Sequence, residues 1–105
     1  MSEAAEQLRE MGYELGDPVR ITSDQHYKQT QGSMGVKAYR EAVSDGYTVF
    51  VVAAIGPEGR VACDMKASDE LVEDEGWDEQ EWLRRDGAQS LAYAVQRKRG
   101  EMAAA

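Results

Sequence analysis

Residues 47–65 read YTVFVVAAIGPEGRVACDM, and the fold turns on how this stretch is read. From Tyr47 to Ile55 every residue is β-branched, aromatic or small, and none is charged. So short an apolar run of that composition is a buried strand rather than a helix. Gly56-Pro57-Glu58-Gly59 supplies a turn, with proline presetting φ and glycine closing it. Arg60 to Met65 then alternates as a second strand.

Symmetric pairing about Pro57-Glu58 sets Ile55 opposite Arg60 and Val52 opposite Cys63. One face then carries Phe50, Val52, Ala54, Val61, Cys63 and Met65, and is the core face. The other carries Val49, Val51 and Ile55 beside Arg60, Ala62 and Asp64. It is too apolar to stay wet, so it needs a cover, either a helix of the same chain or a second subunit.

Outward from this hairpin, Ser2 can cap a first helix with Ala4, Leu8 and Met11 on one face, ended by Gly12. Pro18 opens a short edge strand, Val19 to Thr22. Asp24 to Gly35 is polar and without period, which predicts a loop. Ser33 then caps a helix over 33–44 that buries Val36, Tyr39 and Val43. A strand, one helix and a strand predict a right-handed crossover between parallel neighbours.

Beyond Met65, Asp78 is a cap, Glu81 completes a capping box, and Trp77 staples onto Trp82. A long C-terminal helix starts at about Glu79. It either breaks at Asp86-Gly87 or runs through, burying Leu83, Leu91 and Val95, with Arg97, Lys98 and Arg99 at the negative end of its dipole. Residues 100–105 are expected to form a frayed tail. The fold expected is α+β: a single domain spanning 1–105, in the order α-β-α-β-β-α, with a three-stranded sheet and the 47–55 strand in the middle.

The chain carries 20 acids against 12 Lys and Arg, a net charge of −8. Nine of the acids lie between Asp64 and Glu81 against Lys66 alone, so that segment holds the whole excess. Direct nucleic-acid binding is not expected of such a surface. No stretch approaches the about 18 apolar residues of a membrane span. One cysteine excludes an internal disulfide and any multi-cysteine zinc site. With an acidic, helical N-terminus and no signal peptide, a cytoplasmic location is the expectation.

Three functions follow as expectations, none with a cofactor or metal. The first is a non-enzymatic acidic domain that engages a basic protein surface through Asp69, Glu70, Glu73, Asp74, Glu75, Trp77, Asp78, Glu79 and Glu81. Carboxylates at this density need solvent or a cationic partner, and they can imitate DNA phosphates. In composition, though in no motif, the segment resembles small phage-type inhibitors of restriction and CRISPR systems that act as DNA mimics. Trp77 would anchor such an interface, its plainer role being the staple. The same acids fail the EF-hand order: with Gly76 as the loop glycine, Leu71 and Trp82 fall at positions one and twelve.

The second function is a small-ligand or nucleotide site built from His26, Tyr27, Gln29, Gln31, Gly32, Ser33 and Lys37. Free N–H groups at a helix start there would bind an anion, and His26 with Tyr27 could supply acid/base chemistry. The P-loop spacing is absent, and the plain alternative is a surface connection with a capped helix. The third is a structural homodimer joined over Val49, Val51 and Ile55. Cys63, on the core face, behaves as a small hydrophobe. Met11, Met34 and Met65 read as core filler.

Overall fold

The computed structural model describes residues 3–104, with side chains followed as far as Glu101. The expected cap at Ser2 lies outside the described residues. Helix α1 (Glu3–Glu10) buries Ala5 and Leu8, with Ala4 and Met11 half-buried at its margin. The chain turns at Gly12, whose φ of 87° suits glycine. Two short strands follow, β1 (Glu14–Leu15) and β2 (Val19–Arg20). Both pair antiparallel with β3 (Tyr47–Gly56), which pairs on its other side with β4 (Gly59–Ser68).

The hairpin register is the one its symmetry predicts, with Ile55 opposite Arg60 and Val52 opposite Cys63. Its second strand is longer than 60–65, because the alternation continues through Lys66, Ala67 and Ser68. The sheet has four strands rather than three, the extra one being β1. Glu14-Leu15 is too short to show a period, and it is recruited by the free edge of β3.

The expected parallel crossover is wrong: β2 and β3 are antiparallel. Two helices lie between these strands instead of one, and the second returns the chain to the end at which β2 stopped. The first of them, α2 (Asp24–Thr30), occupies most of the stretch expected to be a loop. Ser23 caps it, its Oγ accepting from the His26 N–H at 3.1 Å. With Tyr27 as its only buried residue, α2 shows no apolar period to find. Helix α3 (Val36–Ser44) starts from Gly35, not Ser33, whose groups are engaged elsewhere. Tyr39 and Ala42 are its buried residues, while Val43 is 47% exposed, contrary to expectation.

Each sheet face is covered by helices of the same chain. On the core face, Phe50, Val52, Ala54 and Val61 pack with Leu8 of α1 and with Leu83, Leu91 and Val95. On the other, Val49 and Val51 pack with Ile21, Tyr27, Tyr39 and Ala42. Tyr27 and Tyr39 stack there, ring centroids 5.1 Å apart. The cover stops short of Ile55, which is 65% exposed, so a homodimer seam over that face has only Ile55 left to bury.

The last four elements form the acidic segment and the C-terminal helix. They are α4 (Asp69–Val72), α5 (Glu79–Trp82), a π-helical turn (Leu83–Gly87) and α6 (Ala88–Ala104). The chain therefore runs through Asp86-Gly87 without a break, the π turn absorbing the irregularity. Gly87 lies directly on the sheet, where an added Cβ would stand 3.2 Å from a Val52 methyl. Helix α6 continues to Ala104, so the expected tail from residue 100 is helical to that point. Arg99 ties this helix to the hairpin turn. It donates to Glu58, 3.1 Å away, and to the Met11 carbonyl at 2.9 Å, while the Tyr13 hydroxyl donates to Glu58 at 2.7 Å. The Tyr13 bond, then Arg99, holds the Glu58 carboxyl below its usual range despite desolvation.

Candidate functional site

The acidic segment is held as a unit by aromatic packing. Trp77 and Trp82 lie 5.3 Å apart by ring centroid, and Phe50 meets both in T-shaped contacts at 6.4 and 5.8 Å. Asp78 caps α5, its Oδ1 accepting from the Glu81 N–H at 3.1 Å, so the cap and staple stand as predicted. Ser68 caps α4 in the same way through the Leu71 N–H. Trp77 is half-buried, its ring committed to this packing.

The nine acids then separate by what they do. Asp69 accepts from the Thr48 hydroxyl at 3.0 Å, and Asp74 from the Gly76 N–H at 2.8 Å. Glu79 pairs with Arg20 at 3.8 Å. Glu70, Glu73, Asp74 and Glu75 are all exposed, and no basic side chain among the described residues forms an ion pair with them. Four uncompensated carboxylates thus sit on a short helix and turn fixed to the core by two tryptophans.

Asp64 does not belong to this patch. It lies on the opposite sheet face, across from Val51, and anchors the segment after α2. Its Oδ2 accepts from the Tyr27 hydroxyl at 2.7 Å and from the Met34 N–H at 3.3 Å. Its Oδ1 accepts from the Ser33 N–H at 2.8 Å and the Ser33 hydroxyl at 3.2 Å. The Tyr27 oxygen in turn accepts from the Gly35 N–H at 2.9 Å. The N–H groups expected to bind an external anion therefore hold a carboxylate of the chain itself. Burial first, and the bond to Asp64 second, keep the Tyr27 hydroxyl protonated above its ordinary 10.0.

The other residues of the expected ligand site do not converge on a cavity. Gly32 lies under the Tyr27 ring, where a Cβ would come within 2.5 Å of a ring carbon. Gln31 ends α2 in the left-handed conformation, and its carbonyl and that of Thr30 accept from the Arg60 guanidinium. Gln29 and Lys37 are exposed on their helices. The His26 Nδ1 lies 3.3 Å from both the amide and the hydroxyl of Thr22, a local turn contact.

No family model, curated protein or solved structure matches the chain. Its chemistry is read from these groups alone. Among the described residues no cluster of His, Cys, Asp and Glu is arranged to hold a metal ion, and no helix is long and apolar enough to cross a membrane.

Cys63 is half-buried on the core face, and burial, then the adjacent Asp64 charge, lifts its thiol from 9.0 to about 11. The thiolate is the reactive form, so native Cys63 should react with a disulfide reagent at pH 8 at least about tenfold more slowly than the urea-unfolded chain. Equal rates in the two states would contradict this placement.

Proposed function

We propose that the protein is a non-enzymatic binding module whose acidic segment, Asp69 to Glu81, docks onto a basic surface of a protein partner. The supporting observation is the group formed by Glu70, Glu73, Asp74 and Glu75, exposed and unpaired by bases of the chain, on a segment that Phe50, Trp77 and Trp82 pin in place. Like charges held together repel one another, and a cationic partner relieves that repulsion. A rigid support lowers the entropy lost on docking.

A partner with a nucleic-acid groove, within a nucleic-acid-processing complex, is the chemically natural target. An inhibitor of this kind would occupy the groove as a compact anionic plug. Extended imitation of a phosphate backbone is less well supported, because Asp64 lies elsewhere and Asp69, Asp78 and Glu79 are already engaged.

The test compares wild type with a variant carrying Glu70→Gln, Glu73→Gln, Asp74→Asn and Glu75→Gln as baits in host lysate at low and high salt. The expected result is a partner held by wild type, released by salt and absent from the variant. A partner retained by the variant and indifferent to salt would overturn the reading.

A further inference from the structure

We propose that the free edge of β4 is the seam of a homodimer, a second copy adding its own β4 antiparallel to the first. This stands apart from the acidic-patch reading, since its seam is a sheet edge and its test reads mass. The far side of β3 is already paired, by β1 and β2. The Gly16 N–H donates to the Ala53 carbonyl and the Ile21 N–H to the Val49 carbonyl. Odd-numbered residues of β3 therefore turn their backbone groups away from β4, and even-numbered ones turn toward it. Through the register Val52 opposite Cys63, it is the odd residues of β4 that bond to β3. The N–H and C=O groups of Arg60, Ala62, Asp64 and Lys66 consequently face outward. None of them has a hydrogen-bond partner among the described residues.

Neither a bulge nor a proline protects this edge, although charges stand at three of its outward positions, Arg60, Asp64 and Lys66. The ladder with β3 is ten unbroken pairs, so there is no bulge, and β4 contains no proline. The edge instead runs along an open groove of about 670 Å³, between Ser33 on one side and Tyr93 and Arg97 of α6 on the other. Tyr93 is 64% exposed there.

Charge selects the occupant. Outward residues must pair with outward residues, so a two-fold β4 seam can be centred only on a whole residue. Centring on Cys63 sets Arg60 against Lys66, centring on Asp64 sets Asp64 against itself, and centring on Lys66 sets Lys66 against itself. Centring on Met65 sets Asp64 against Lys66 of the other copy, twice by symmetry. Centring on Ala62 also matches opposite charges, Arg60 with Asp64, over an equal seven-residue overlap, 59–65, but with about six backbone hydrogen bonds. The Met65-centred register joins residues 62–68 of the two chains by about eight backbone hydrogen bonds. It also sets the acidic end of each β4 beside the basic start of the other, where Lys98 lies against Gly59.

The test is sedimentation equilibrium of the full chain over a wide concentration range, with twice the 11.6 kDa chain mass as the expected limit. Lys66→Glu should weaken the dimer at least about tenfold, since it faces Asp64 with a like charge. Lys66 is exposed and rests only on the Tyr47 ring, so the variant keeps its fold, which circular dichroism checks. Met65→Cys in a Cys63→Ser background should oxidise to a covalent dimer, because residue 65 faces itself across the two-fold axis at disulfide range. Gln80→Cys in the same background should not. A monomer at every concentration would overturn the proposal and leave the edge to another occupant, such as an extended peptide. A dimer that tolerates Lys66→Glu and does not cross-link through residue 65 would overturn this seam.

Discussion

Phe50→Ala is expected to cost about 3–5 kcal/mol of folding stability. Phe50 is fully buried at the centre of β3, against both tryptophans of the acidic segment. Truncation removes the transfer energy of the ring and leaves a cavity under two aromatic neighbours that cannot readily collapse into it. A total stability of about 5–15 kcal/mol is usual for a domain, so the variant would sit near its unfolding threshold. Urea unfolding followed by tryptophan fluorescence measures the loss directly. Val43→Ala, on the exposed side of α3, should change stability by less than about 0.5 kcal/mol. A Phe50→Ala loss below about 1 kcal/mol would contradict the packing described here.

The second large effect is expected at Asp64. Alanine there leaves the buried Tyr27 hydroxyl without its acceptor and strips the Ser33 amide of its own, while the Met34 amide keeps the Tyr27 oxygen, at an expected cost of about 2–4 kcal/mol. Asp64→Asn should recover less than half of this, because an amide replaces one accepting oxygen with a donor facing other donors. Tyr27→Phe in the same background should cost less than it does alone, since the two groups share one bond. Purely additive losses would show that the carboxylate and the hydroxyl are not coupled.

The acidic patch, by contrast, should bear neutralisation without loss of fold. Glu70, Glu73, Asp74 and Glu75 are exposed, and the one bond made among them, from the Gly76 N–H to Asp74, survives in asparagine. That separation between stability at Phe50 and Asp64 and binding at the patch makes the functional reading testable.

The central hairpin was legible because its apolar run, turn and alternation all agree on one register, which its backbone adopts. The start of the long helix was legible for the same reason, with cap and staple together at Asp78, Trp77 and Trp82. Helix α2 was hidden because one buried tyrosine in seven residues carries no period. Without α2 a single helix separates the neighbouring strands, and a single helix predicts parallel pairing. Strand β1 was hidden because two residues cannot alternate.

Asp64 is the instructive miss. Counted by position it joined the acidic run, yet alternation along β4 had already placed it on the second apolar face. An acid on a covered face needs donors, and the free N–H groups at the start of the helix after Gly32 need an acceptor. The two halves of that anchor were both visible, and only their pairing required the fold.

The most direct measurement of the central claim is the affinity of the captured partner for three forms of the protein across a range of salt. These are wild type, the Glu70/Glu73/Asp74/Glu75 neutralised variant, and Val43→Ala as an uncharged surface control on α3. Steeply salt-dependent binding by wild type, a loss of about tenfold or more in the neutralised variant, and little change with Val43→Ala are expected. Equal affinity of wild type and the neutralised variant, flat in salt, would contradict the claim.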